Sequence, residues 1–191
     1  VILPMAYMTQ ISWYYFMMTS KEACIEQYET YPKQTYRNRC HIYTEKGSMS
    51  LSVPVTKVNG NHTLTRDVVI NNTEKWPRIH WRSIHSAYQN SPYFLYYRDD
   101  IKTCFDDTDQ PLLAYNLKCI HLINELTGIT KKVSLTEEYV HSYTEGIDLR
   151  NISPKKKWFE GGLTPYMQVF SEKHGFIPDL SILDLLFNLG P

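Results

Sequence analysis

The sequence predicts one α/β domain over residues 1–191, in which several helices pack on a mixed sheet that contains a β-hairpin; a mixed α+β arrangement is the alternative. Three observations support this fold class. The chain has 191 residues, 42% of them hydrophobic, which is enough for one sizeable core. Residues 34–55 contain two alternating apolar and polar runs, as paired strands do. Longer apolar stretches at 75–128 and near the C-terminus favour helices.

The first residues predict a β-α-β unit. The opening VILPMAYM is typical of a short strand, and ISWYYFMM after it is apolar enough for a mostly buried helix. The following EACIEQYE then predicts a second strand.

Residues 34–55 predict an antiparallel hairpin whose register follows its buried face. Pairing Ile42 with Met49 puts the apolar side chains of both runs on one face, whereas a one-residue slip would expose all of them. The same register pairs Cys40 with Leu51. The opposite face then carries basic side chains and small hydroxyls, namely Arg37, Arg39, His41, Ser48, Ser50 and Ser52. Successive basic residues would lie about 7 Å apart along the strand.

Residues 62–70 suggest another strand, and helices are expected to dominate from Lys75 to Gly128. Pro92 and Pro111 mark helix starts within this region. The stretch PLLAYNLKCIHLINELTG is apolar on most sides, so it predicts a central helix that Gly128 caps.

Residues 129–165 are weakly patterned and are predicted to form a long loop or lid, which includes the basic run Lys155–Lys157 and the pair Gly161–Gly162. The final HGFIPDLSILDLLFNLGP predicts a helix. Ser181 and Asp184 at its start resemble a capping box.

Composition excludes several classes of protein. Twenty acidic and twenty basic side chains cancel, which argues against a nucleic-acid partner. No apolar run reaches the ~18 residues of a membrane span. The four cysteines form no CxxC pair and have no zinc spacing, so reduced thiols, a cytoplasmic location and no metal are expected. No phosphate-binding glycine loop or hydrolase motif is present, and the cofactor stays unknown.

The basic hairpin face is the first candidate site. Arginine forks suit phosphate or carboxylate, and neighbouring serines leave room for such a ligand. Lys33, just upstream, extends the same face. A solvated outer face of an antiparallel hairpin is the competing interpretation.

The stretch KWPRIHWRSIHSAY is the second candidate. On a helix, Arg78, Arg82 and His85 share one side, and an anion there would offset the repulsion between the two arginines. His80 points roughly 140° away from His85. The aromatic stripe beside them, which includes Trp81 and Tyr88, fits a core position or a stacking surface.

His174 is a further candidate, since a histidine before glycine in a tight segment suits either a general base or a turn residue.

Three blocks in order carry a family resemblance: KQTYRNRCHIY with LSVPV, then WPRIHWRSIHSAYQNSPYF, then HGFIPDLSILDLLFNLGP. Together they resemble the WbqC-like family of bacterial proteins, over nearly the whole chain from Leu3 to Pro191. The chain departs from the family at its opening, where LPMAYMTQISWYYF stands in place of a QPxYxPxxGYF-like pattern. The family-like positions are Lys33, Asn38, Arg39, His80, Trp81, Tyr88, Pro92, Phe94, His174, Gly175, Asp184 and Asn188.

The resemblance implies a role in O-antigen or other surface-polysaccharide biosynthesis. The leading hypothesis is a cytoplasmic transferase that acts on an anionic small molecule such as a nucleotide sugar, and a non-catalytic binding or scaffold subunit is the alternative. The expected acid–base residues are His80, His85 and His174. The expected substrate-binding residues are Lys33, Arg37, Asn38, Arg39, His41, Trp81, Arg82 and Tyr88. A homo-oligomer is compatible with either hypothesis.

Overall fold

Short strands and helices alternate in the protein, whose computed structural model describes residues 1–154, 159 and 162–191. The strands are β1 (Ile2–Pro4), β2 (Cys24–Glu26), β3 (Arg39–Thr44), β4 (Gly47–Ser52), β5 (Val55–Lys57), β6 (Val68–Ile70) and β7 (Ser134–Leu135). The helices are α1 (Ile11–Thr19), α2 (Trp76–Tyr88), α3 (Phe94–Lys102), α4 (Leu112–Leu126), α5 (Ser171–His174) and α6 (Ile182–Leu189). Small sheets packed by helices confirm the predicted α/β class.

The predicted β-α-β unit is confirmed. β1 pairs with β2 in parallel, and β7 continues the sheet on the other side of β2. Leu3 and Ile25 lie opposite each other in this sheet and are fully buried. α1 packs nearby through Trp13, whose indole N–H donates to the carbonyl of Pro4 over 3.0 Å. The chain therefore begins with a parallel sheet whose carboxyl edge is formed by the residues after β1, β2 and β7.

The hairpin has the predicted register, with Ile42 opposite Met49 and Cys40 opposite Leu51. Its first strand is shorter than predicted, because residues 36–38 form a 3₁₀ turn that the side chain of Thr35 caps. The prediction that Arg37 lies beside Arg39 and His41 on the basic hairpin face is therefore wrong. Arg37 is part of this turn, and its side chain is fully buried.

The prediction of a long loop or lid at residues 129–165 is wrong for Ser134–Leu135, which form β7. The backbone of Thr136 also donates to Ile25 over 3.0 Å, so the segment is fastened along β2. The basic run Lys155–Lys157 and Gly161 lie outside the described residues.

α2, α3 and α4 fill the predicted helical region. α4 is central, with seven buried residues among its fifteen, and Gly128 follows it with φ +68°. The strand predicted at 62–70 is confirmed only for Val68–Ile70, which pair with β5. Residues 65–67, just before it, form a 3₁₀ turn instead.

α6 begins at a buried cap. The side chain of Ser181 accepts a hydrogen bond from the backbone of Leu183, as predicted. The capping role predicted for Asp184 is wrong, because its carboxylate is buried and accepts hydrogen bonds from Tyr166 and Gln168 at 2.5 and 2.8 Å. These bonds hold the chain before α5 against α6.

Gly190 ends α6 in a conformation that excludes a side chain. Its φ is +86°, and a Cβ there would lie 2.8 Å from the ring of Tyr93. We expect Gly190→Ala to lower the free energy of unfolding by about 2–4 kcal/mol, from backbone strain plus overpacking. Urea unfolding measures this difference. Gly128→Ala is the matched control, because its φ is +68° but nothing lies within 4 Å of the new methyl group. Equal losses in the two variants would contradict the contribution of Tyr93.

Candidate functional site

A polar cavity lies at the carboxyl edge of the parallel sheet, with a volume of 400 Å³. One wall is the segment that follows β2, and the other belongs to the segment that follows β7. The lining residues are Tyr28, Glu29, Thr30, Pro32, Thr35, Tyr139, Arg150, Asn151, Ile152 and Ser153. Ligands of open parallel sheets bind outside the carboxyl ends of the strands, which makes this cavity the best-placed site of the described chain.

Buried charges hold the two walls together. Glu26, the last residue of β2, is fully buried, and its Oε2 lies 3.5 Å from Nη1 of Arg150. Arg150 Nη2 also donates to Oδ2 of Asp148 over 2.6 Å. This hydrogen bond lowers the pKa of Asp148. Two further guanidinium donors bind the carbonyls of Val140 and His141. Arg150 therefore positions the second wall and has little donor capacity left for a ligand.

The first wall contains the pair Glu29 and Arg37. Both Nε and Nη2 of Arg37 donate to Oε1 of Glu29, at 2.8 and 2.5 Å, and Nη2 also donates to the carbonyl of Arg150. No described residue donates to Oε2 of Glu29. Burial raises the pKa of Glu29 in spite of the opposing effect of the guanidinium. Glu29 is thus a carboxylate fixed through one oxygen, with the other available at a cavity wall.

The loop from Thr30 to Thr35 lines this cavity and also contains Tyr31 and Lys33, which belong to a second polar surface. Gln34 in the loop has φ +59°, which is the left-handed region that only a few per cent of non-glycine residues adopt. Such strain is maintained by the surrounding structure and is concentrated at functional sites.

The second surface, which we call the basic face, comprises Lys33, Arg39 and Lys57 around Tyr31. Lys57 Nζ donates to the carbonyl of Tyr31 over 3.1 Å and lies 5.2 Å from its ring centroid. Burial and the charge of Lys33 lower the pKa of Lys57. Burial raises the pKa of Tyr31, and Arg37 and Arg39 oppose this change. Within the described chain, none of the three cations forms an ion pair with a carboxylate.

Arg39 and His41 do lie on the predicted hairpin face, opposite Ser52 and Ser50. Arg39 Nε donates to the hydroxyl of Ser52 over 2.9 Å. Burial and the nearby Arg39 lower the pKa of His41, so this ring is neutral at pH 7 and is not one of the cations. Asn38 is used structurally, since its Nδ2 donates to the carbonyl of Val53 over 2.7 Å.

Two predicted site residues lie in the core. His80 is 4% exposed, and its Nδ1 is hydrogen-bonded to the hydroxyl of Tyr7 over 2.9 Å. Tyr88 is fully buried, and its hydroxyl accepts from the backbone of Tyr43. Neither ring reaches the surface, so the predicted acid–base role of His80 and the predicted stacking role of Tyr88 do not fit the structure.

The other predicted residues are spread over separate places. Trp81 and Arg82 line two further cavities, of 390 and 620 Å³. His85 packs edge-on against Phe94 at 5.3 Å. His174 is exposed, and its Nε2 lies 2.7 Å from the carbonyl of Glu45. The predicted site residues therefore do not converge on one pocket.

A model of the WbqC-like protein family matches residues 6–153, which include both walls of the polar cavity and the basic face. The chain belongs to the WbqC-like family. It is 25% identical over 189 residues to the uncharacterized protein Rv1507c of Mycobacterium tuberculosis (strain ATCC 25618 / H37Rv), with 84% of this chain and 80% of that protein covered. No solved structure matches the chain. Among the described residues, no helix has the length and apolar character that crossing a membrane requires.

Sequence reasoning missed Glu29, Arg150 and Lys57 in this WbqC-like chain. Glu29 closes the stretch EACIEQYE, where a carboxylate just after a predicted parallel strand is a usable signal. Arg150 and Lys57 carry no such signal, because each joins the site through a contact between distant segments.

Proposed function

We propose that this WbqC-like protein is a cytoplasmic enzyme of bacterial surface-polysaccharide biosynthesis, of the O-antigen type, which performs group transfer on a nucleotide-activated sugar or a related anionic precursor. The polar cavity would hold the sugar, and the basic face would hold the phosphates. The observation that carries this proposal is a loop, from Thr30 to Thr35, that lines a carboxylate-bearing cavity and also contributes to a cluster of three cations, none of which forms an ion pair with a described carboxylate.

The lining of the polar cavity suits a polyhydroxylated ligand. A carboxylate and an amide, from Glu29 and Asn151, provide acceptors and donors for hydroxyl groups. The rings of Tyr28 and Tyr139 provide surfaces with an apolar body and a polar tip.

Glu29 is the proposed general base. An acceptor hydroxyl or amine would attack the activated sugar carbon, and the bond from that carbon to the phosphate oxygen would break. The nucleoside diphosphate would then leave with the electron pair, and Glu29 Oε2 would take the acceptor's proton. A raised carboxylate pKa favours this role, because a base works best when its pKa is near the working pH. Lys33, Arg39 and Lys57 would stabilise the charge on the leaving phosphates.

A thermal-shift screen against nucleotide sugars, free nucleotides and simple anions tests the proposal. A ligand at about 100 times its dissociation constant adds about 2.7 kcal/mol. For a chain of this size, the melting temperature then rises by roughly 5–10 °C. We expect one nucleotide sugar to give this shift beyond that of its free nucleotide, and Arg39→Ala to abolish the difference. Lys21→Ala, an exposed lysine at the amino end of β2, is the control and should keep the shift.

A non-catalytic scaffold is the second candidate. A scaffold needs an exposed apolar surface for its partner, and α3 provides such a surface. Leu95 and Tyr96 are neighbours on α3 and are 68% and 75% exposed. A stable complex formed through α3, together with no shift by any ligand in the screen, would favour the scaffold and overturn the enzyme.

A further inference from the structure

A separate cavity of 390 Å³ lies between the start of α2 and the end of α3. Its lining includes two aromatic rings, three cations and one carboxylate: Trp81, Phe105, Lys75, Arg78, Lys102 and Asp106. Among the residues that the structure describes, none lines both this cavity and the polar cavity, and none of its lining belongs to the basic face.

The floor of this second cavity is aromatic. Trp81 is half-buried, and its ring stacks on Phe94 with centroids 6.3 Å apart and an interplanar angle of 18°. Phe105 packs against the same indole at 6.1 Å. The indole N–H of Trp81 has no acceptor among the residues that the structure describes. Phe94 and Phe105 fix the position of the indole, and a fixed indole is a rigid surface on which another planar ring can stack.

The rim of the second cavity is cationic. Lys75, Arg78 and Lys102 form no ion pair with any described carboxylate, although Asp106 lines the same cavity. Three positive charges against one negative charge leave an excess of two. Arg78 also lies one helical turn before Arg82, and like charges at this spacing repel each other. A bound anion would relieve that repulsion.

We propose that the second cavity binds a planar aromatic ring that carries a phosphate, that is, a nucleoside phosphate. The base stacks on Trp81 and Phe105, and the phosphate accepts hydrogen bonds from Arg78, Lys75 and Lys102. This site is independent of the proposed group transfer, because its residues lie outside the polar cavity and the basic face.

Titration with adenosine 5′-monophosphate, followed by calorimetry, tests this site against adenosine and inorganic phosphate. The full nucleotide should bind at least about tenfold more tightly than either fragment. Only the nucleotide has both a base for the aromatic floor and a phosphate for the cationic rim. Arg78→Ala and Trp81→Ala should each weaken nucleotide binding by about tenfold. Binding should also weaken as salt is raised, because the rim is exposed.

One control locates the binding. Arg39→Ala should leave the affinity for adenosine 5′-monophosphate unchanged, because Arg39 does not line the second cavity. Loss of nucleotide binding in Arg39→Ala with full binding in Arg78→Ala would overturn the second site and assign the ligand to the basic face. Equal binding of phosphate and nucleotide would overturn the stacking role, and Trp81→Phe, which keeps an aromatic ring, should retain most of the affinity.

Discussion

Arg37→Ala is expected to lower the free energy of unfolding at pH 7 by about 3–5 kcal/mol, the usual effect of removing one partner of a buried ion pair. Arg37 is 0% exposed, and its guanidinium binds both Glu29 and the carbonyl of Arg150. Truncation would leave the Glu29 carboxylate without its partner and an unfilled space beneath the 3₁₀ turn. Urea unfolding with linear extrapolation measures the difference.

Arg39→Ala is the matched control, two positions along the chain. Arg39 is partly exposed, and the one side-chain hydrogen bond that it makes within the described chain is to Ser52. The loss of stability there should stay below about 1 kcal/mol, because exposed charged contacts contribute little. A small loss in Arg37→Ala, or equal losses in the two variants, would contradict the structural role of Arg37.

These two arginines show how far the sequence predicts the site. Alternation predicted the hairpin register correctly, because a buried face allows one register only. The same alternation placed Arg37 beside Arg39 on one strand. In the structure Arg37 belongs to a 3₁₀ turn, and the strand begins only at Arg39. Thr35 caps that turn with its side chain, a local hydrogen bond that periodicity does not reveal.

The fold was more predictable than the site for a physical reason. β1, α1 and β2 follow each other in the chain, and their apolar patterns are strong enough to predict them. The polar cavity instead depends on β7, a strand of two residues that reaches β2 from more than a hundred positions away. Neither its pairing nor the ion pair between Arg150 and Glu26 leaves a local pattern in the sequence.

Acid is expected to destabilise the protein through His80. Burial lowers the pKa of this histidine from 6.5 to about 4, while a bond to the backbone of Ser52 acts in the opposite direction. The unfolded chain therefore binds a proton between these pH values and the folded chain does not. The stability that the neutral ring contributes is present above pH 6.5 and is lost as the pH falls towards 4. The loss amounts to about 3 kcal/mol.

Unfolding by urea at several pH values between 7 and 4, in the wild type and in His80→Gln, measures this contribution. Glutamine cannot titrate, so the wild type should lose about 3 kcal/mol relative to the variant over that range. Buried carboxylates act in the opposite direction, because burial raises the pKa of Glu29, Asp179 and Asp184. They are present in both proteins, so their effect cancels in the difference. Parallel pH profiles would mean that His80 titrates in the folded state near its ordinary pKa and would restore it as an acid–base candidate.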